Sequence, residues 1–122
     1  YPVTPCRIVD TRGPAGPWGG PSLAAGARRD VALAGRCGVP ADARAVAANV
    51  TVVSPTGAGL LKVFPSDGVE PIATVVGFAA GRTRAGAAIL MLSTSGSASV
   101  AAVNGAPSGT ADILIDVNGV FR

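Results

Sequence analysis

Residues 6–12, Cys-Arg-Ile-Val-Asp-Thr-Arg, put three charged side chains beside an apolar pair in a chain that is otherwise sparsely charged. In an extended segment side chains alternate between faces, so Ile8, Asp10 and Arg12 are expected on one face and Arg7, Val9 and Thr11 on the other. An acid and a base two positions apart have two uses. They can close a hydrogen-bonded corner that anchors the strand, with Thr11 satisfying a turn. Alternatively, they can grip vicinal hydroxyls of a sugar, Asp10 accepting and Arg12 donating in a planar, bidentate way. Trp18, in Gly-Pro-Ala-Gly-Pro-Trp-Gly-Gly-Pro, poses the same choice between a lid packed on the core and an exposed ring for the apolar face of a sugar. Its Gly and Pro neighbours offer little cover, which favours the ligand. Toward the C-terminus, Ala-Asp-Ile-Leu-Ile-Asp-Val-Asn-Gly-Val-Phe turns Ile113, Ile115 and Val117 inward and Asp112, Leu114, Asp116 and Asn118 outward. Asp10, Arg12, Trp18, Asn49, Asp112, Asp116 and Asn118 are therefore the candidate ligand-binding residues.

Most other chemistry is excluded by what is missing. The chain has no histidine, so a Ser-His-Asp or Cys-His nucleophile cannot be assembled. Asp112 and Asp116 on one strand face would stand about 13 Å apart at 3.3 Å per residue, beyond the spacing that glycoside hydrolysis needs. No GxGxxG opens a helix and no GxxxxGK[ST] is present, which removes the nucleotide-binding motifs; no DxDxDG loop groups carboxylates for calcium. Two isolated cysteines without histidine do not make a zinc site. Ten basic residues against seven acidic ones leave a formal charge of +3, but the arginines are scattered rather than striped as nucleic-acid binding requires. No apolar run reaches the roughly 20 residues of a membrane helix. The expectation is a binding module that is not an enzyme, takes no cofactor, and engages neither nucleic acid nor the membrane interior.

At 122 residues the chain suits one domain, and its 17 glycines and 10 prolines cut it into short runs. Strands are expected at 7–10, 30–34, 43–53, 60–64, 73–78, 87–92, 97–103, 112–117 and 119–122, with helical periodicity nowhere; this is an all-β sandwich of about nine short strands, jelly-roll-like. Along 44–53, Val46, Ala48, Val50 and Val52 form the core face and Ala45, Ala47, Asn49, Thr51 and Val53 the other. Aromatics are only 4% of the chain, so small aliphatics must fill the core, with Phe64, Phe78 and Phe121 as its largest members. Leu-Ala-Ala-Gly at 23–26 recurs as Phe-Ala-Ala-Gly at 78–81, and Ser-Pro-Thr-Gly at 54–57 as Ala-Pro-Ser-Gly at 106–109. Two related halves follow from that reading. Cys6 and Cys37 are expected to form a disulfide, worth on the order of 3 kcal/mol by loop entropy, in an oxidising extracytoplasmic setting. Tyr1 reads as the start of a mature or excised module.

The order of Pro5, Arg7, Asp10-Thr11-Arg12, Gly38-Val39-Pro40, Asn49-Val50-Thr51, Pro55-Thr56 and Asp116-Val117-x-Gly119-x-Phe121 resembles a β-rich module of secreted and surface proteins of actinobacteria and some other bacteria, often appended to hydrolases. The resemblance spans nearly the whole chain. It departs in the cysteine pair and in Gly119-Val120-Phe121, where the pattern often reads Gly-Tyr-Phe. It implies an accessory role at a polysaccharide-rich cell surface and carries no residue-level site. The function expected is carbohydrate binding, directed at cell-wall arabinan or galactan for an appended catalytic domain; the rival is a structural or adhesive surface domain. Segments 45–53, 73–78 and 87–92 are small or apolar on both faces, which predicts a small cyclic homo-oligomer, a trimer rather than a dimer.

Overall fold

A computed structural model describes residues 1–70 and 75–122. Nine strands run in the order β1 (Pro2–Asp10), β2 (Leu23–Ala24), β3 (Arg28–Ala32), β4 (Ala45–Val53), β5 (Gly59–Pro65), β6 (Val76–Phe78), β7 (Arg84–Met91), β8 (Ser99–Asn104) and β9 (Thr110–Phe121). One antiparallel sheet has the order β1-β9-β4-β7, with β2 also pairing β9; the other has the order β3-β8-β5-β6. The expected all-β sandwich is what forms. Val46, Val50 and Val52 from the first sheet and Leu61, Val63 and Val100 from the second belong to one buried cluster, for which short β-branched and aliphatic side chains suit a pleated surface. The two C-terminal strand candidates merge into β9, and β2, only two residues long, was not expected. Of the candidate at 73–78, residues 73 and 74 lie outside the described residues.

The strand order is symmetric. Exchanging β2 with β6, β3 with β7, β4 with β8 and β5 with β9 turns the path β3-β8-β5-β6 into β7-β4-β9-β2, the path of the other sheet. The repeated motifs sit at equivalent joints: Gly26 (φ +73°) between β2 and β3, Gly81 (φ +74°) between β6 and β7, residues 54–57 between β4 and β5, and residues 106–109 between β8 and β9. The positive φ at Gly26 and Gly81 explains why Leu-Ala-Ala-Gly and Phe-Ala-Ala-Gly both end in glycine. Two equivalent halves, each giving two strands to each sheet, thus interlock, with β1 added at one edge. The Cys6–Cys37 disulfide, Cα–Cα 5.7 Å, fastens that edge strand to the turn after β3.

Two β-bulges re-aim side chains in the first sheet. Between β1 and β9, Arg7 pairs with Asp116 and Val9 with Ile115, which leaves Ile8 as the extra residue. Ile8 and Val9 are both buried, whereas Arg7 and Asp10 both face out. The expected sharing of a face by Ile8 and Asp10, and by Arg7 and Val9, is therefore corrected. Between β9 and β4, Ala48 pairs with Val117 and Ala47 with Gly119, so Asn118 is extra and the alternation beyond it inverts. Val120 takes the inward place, 3% exposed, and Phe121 is turned out, 48% exposed. Phe121 is consequently not a core residue; Phe64 and Phe78 are buried as expected.

Candidate functional site

The first bulge places Arg7 on the outer face of the sheet directly opposite Asp116. Its Nε donates to Oδ1 at 2.9 Å and its Nη2 to Oδ2 at 3.3 Å. Arg7 Nη1 also lies 3.9 Å from Asp10 Oδ2. Asp10 Oδ1 accepts from the Arg12 amide and from Arg12 Nε, each at 3.0 Å, and Oδ2 accepts from Nη2 at 3.0 Å. The result is a ladder of alternating sign, Asp116-Arg7-Asp10-Arg12. The hydrogen bonds from Arg12 hold the Asp10 carboxyl below its ordinary range, and those same partners raise Arg7, through Asp116, and Arg12, through Asp10. Arg12 and Asp10 satisfy each other through the bidentate geometry. This is the corner reading of the motif.

Thr11 completes the corner from beneath. It is 5% exposed; its hydroxyl donates to Asp112 Oδ1 at 2.9 Å and accepts the Ile113 amide at 2.8 Å. Ser22 donates to the same Asp112 oxygen at 2.7 Å. Asp112 thus clips the first strand and the 13–22 loop to the last strand.

Trp18 is equally engaged. Its indole Nε1 donates to the Ala32 carbonyl at 2.7 Å, its ring packs against the core, and the Arg36 guanidinium lies over the ring at 3.9 Å from the centroid. The surrounding loop is held by Arg29, whose Nη2 donates to the Gly19 carbonyl at 2.8 Å, and the Trp18 carbonyl accepts the Asp10 amide at 3.0 Å. Arg36 supplies the cover that the Gly and Pro neighbours do not. The ring is packed on the core and roofed by Arg36, and it remains partly exposed.

What remains available lies further along the same face. Asn49 is exposed on β4, between its cross-strand partners Asp116 on β9 and Ala87 on β7. Its side chain makes no hydrogen bond among the described residues. Asn118, presented by the second bulge, is likewise exposed and borders a shallow depression of about 270 Å³ lined by Ala47, Ala48, Ala87, Ala88 and Ile89. A carboxylate fixed by Arg7 and two carboxamides thus adjoin a small-residue shelf. Of the seven candidate residues, Asn118 lines this depression, and Asn49 and Asp116 neighbour it through the pairings Asn49–Ala87 and Asn49–Asp116. Asp10 and Arg12 stand at the far end of the ladder, and Asp112 and Trp18 serve the framework.

Arg7 and Ile89 escaped the sequence reading. Plain alternation puts Arg7 on the wrong face, and Ile89 belongs to the 87–92 run, which reads as a self-association surface and not as part of a ligand site. Among the described residues no cluster of three or more His, Cys, Asp or Glu could hold a metal ion. No helix among them is long and apolar enough to cross a membrane. The chain matches no protein-family model and no curated protein.

Proposed function

We propose that this chain is a non-catalytic carbohydrate-binding module, secreted and carried beside a glycan-active hydrolase, that binds cell-wall polysaccharide of the arabinan or galactan type. The observation that carries this reading is the shelf: Asn49 and Asn118 offer carboxamides beside the Arg7-held Asp116 carboxylate, next to exposed Ala87 and Ile89. A sugar ring presents an apolar face of C–H groups and a rim of hydroxyls. Ala47, Ala87 and Ile89 suit the face; Asn49, Asp116 and Asn118 suit the rim, each able to accept a hydroxyl proton and the amides able to donate. Without an aromatic platform each contact is weak, and repeated sites would have to supply avidity. The disulfide suits an extracellular setting.

The test is retardation in affinity gels containing arabinogalactan, arabinan or galactan. Retardation lost in the Asn49→Ala, Asn118→Ala double variant supports the reading; unretarded wild type with every polysaccharide overturns it. The rival reading, an adhesive or self-assembling surface domain, is favoured by a different feature of the same face, the exposed side chains of Ile89, Met91 and Phe121.

A further inference from the structure

Open sheet edges invite pairing with other chains, and proteins usually blunt them with proline, charge, bulges or brevity. Among the described residues, three of the four edges are blunted. The β1 edge carries Pro2, Pro5, register shifts and the disulfide; β3 carries Arg28, Arg29 and Asp30; β6 spans three residues. The fourth edge, β7, is different. It is the symmetry equivalent of the charged β3, yet beyond Arg84, which pairs with Val52 at the start of the strand, residues 85–91 read Ala-Gly-Ala-Ala-Ile-Leu-Met, with no charge, no proline and no bulge against β4.

Its hydrogen-bonding direction follows from its partner. The Leu92 amide donates to the Arg44 carbonyl, and the pairs alternate from there, so Leu90, Ala88 and Gly86 bond to β4. Ala85, Ala87, Ile89 and Met91 therefore aim their N–H and C=O groups away from the sheet, where no strand pairs with them among the described residues. Their side chains are exposed on the outer face, Ile89 at 57% and Met91 at 55%.

We infer that β7 pairs with β7 of a second copy of this chain, antiparallel across a two-fold axis at Ala88, joining the two first sheets into one. The strand is self-complementary in this register. Ala87 meets Ile89 and Ala85 meets Met91, so each large side chain lies against a small one, and about eight ladder hydrogen bonds form. The charges agree as well. Arg82, which has no ion pair among the described residues, comes opposite Thr94 of the second copy. There the Thr94 amide and hydroxyl both hold the Asp67 carboxylate at 3.1 Å. The pairing closes at two subunits, in place of the trimer expected from sequence, and sets the two Ala87–Ile89 shelves side by side. It deepens the self-assembly reading and is independent of the carbohydrate reading.

The experiment is light scattering on wild type and on Met91→Lys and Ala85→Pro at micromolar concentration, with circular dichroism to verify folding. The Ala85 N–H points away from β4, so proline there removes an edge donor and no donor of the β4–β7 ladder. Wild type should have twice the 11.9 kDa mass of one chain and both variants the single mass. Hydrogen exchange on wild type supplies a reading that needs no variant. The amides of Ala85, Ala87, Ile89 and Met91 should gain protection with concentration while those of Ala88 and Leu90 stay constant. A single-chain mass for wild type, or edge amides whose exchange ignores concentration, overturns the inference and leaves the gel-retardation result unaffected.

Discussion

Replacing Thr11 with valine isolates what the Asp10-Thr11-Arg12 corner does for the fold. Valine keeps the shape of threonine, so packing changes little; what is lost is a hydroxyl that is 5% exposed and doubly bonded. The Ile113 amide, which donates to it at 2.8 Å, is left buried without an acceptor, and that alone costs about 1–3 kcal/mol. The bond to the Asp112 carboxylate at 2.9 Å disappears too, although Ser22 still donates to that oxygen, so the second loss is the smaller one. The sum is about 3 kcal/mol, equivalent to a fall of about 10 °C in Tm for a domain of this size. Thr11→Ser keeps the hydroxyl and forfeits one methyl, about 1 kcal/mol. Urea unfolding should show a lower midpoint for Thr11→Val at unchanged slope, with Thr11→Ser close to wild type. If Thr11→Val lies within about 0.5 kcal/mol of wild type, or if Thr11→Ser is equally damaged, the corner does not anchor the strand.

Reducing the Cys6–Cys37 disulfide, which closes a separation of 31 residues, should lower unfolding stability by about 3 to 4 kcal/mol, measured by denaturant titration with and without reductant. Asp10 has its folded pKa depressed below the ordinary 3.8, so its contribution is present above that value and lost as pH falls through the folded one. Unfolding midpoints of wild type and Asp10→Asn should therefore converge in acid; a gap that stays constant with pH would show that ionised Asp10 contributes nothing. Trp18→Ala should cost about 2–4 kcal/mol of stability through lost ring packing and the Ala32 hydrogen bond, while polysaccharide retardation of the folded variant is unchanged.

Period-two patterning made the sandwich legible. Val46, Ala48, Val50 and Val52 face inward on β4 as their spacing dictates, as do Ile113, Ile115 and Val117 on β9. The Gly-ended motifs made the symmetric joints legible, because a turn that needs positive φ leaves a residue signature. The site was less legible for one physical reason. A bulge inserts one residue into a ladder without any composition to announce it, and every side chain beyond it changes face. Ile8 and Asn118 are those residues, and they decide that Arg7 reaches Asp116 and that Phe121 points outward. Trp18 was only half legible. Its neighbours in sequence offer no cover, but Arg36, eighteen residues away, lies over its ring.

The most direct test of the account is a titration of the isotopically labelled chain with arabinan and galactan oligosaccharides, followed by nuclear magnetic resonance. Carbohydrate bound at the shelf should move the side-chain amide signals of Asn49 and Asn118 and the methyl signals of Ala47, Ala87 and Ile89, and leave the Trp18 indole signal in place. Saturating oligosaccharide that moves none of these signals, or moves the Trp18 loop alone, contradicts it.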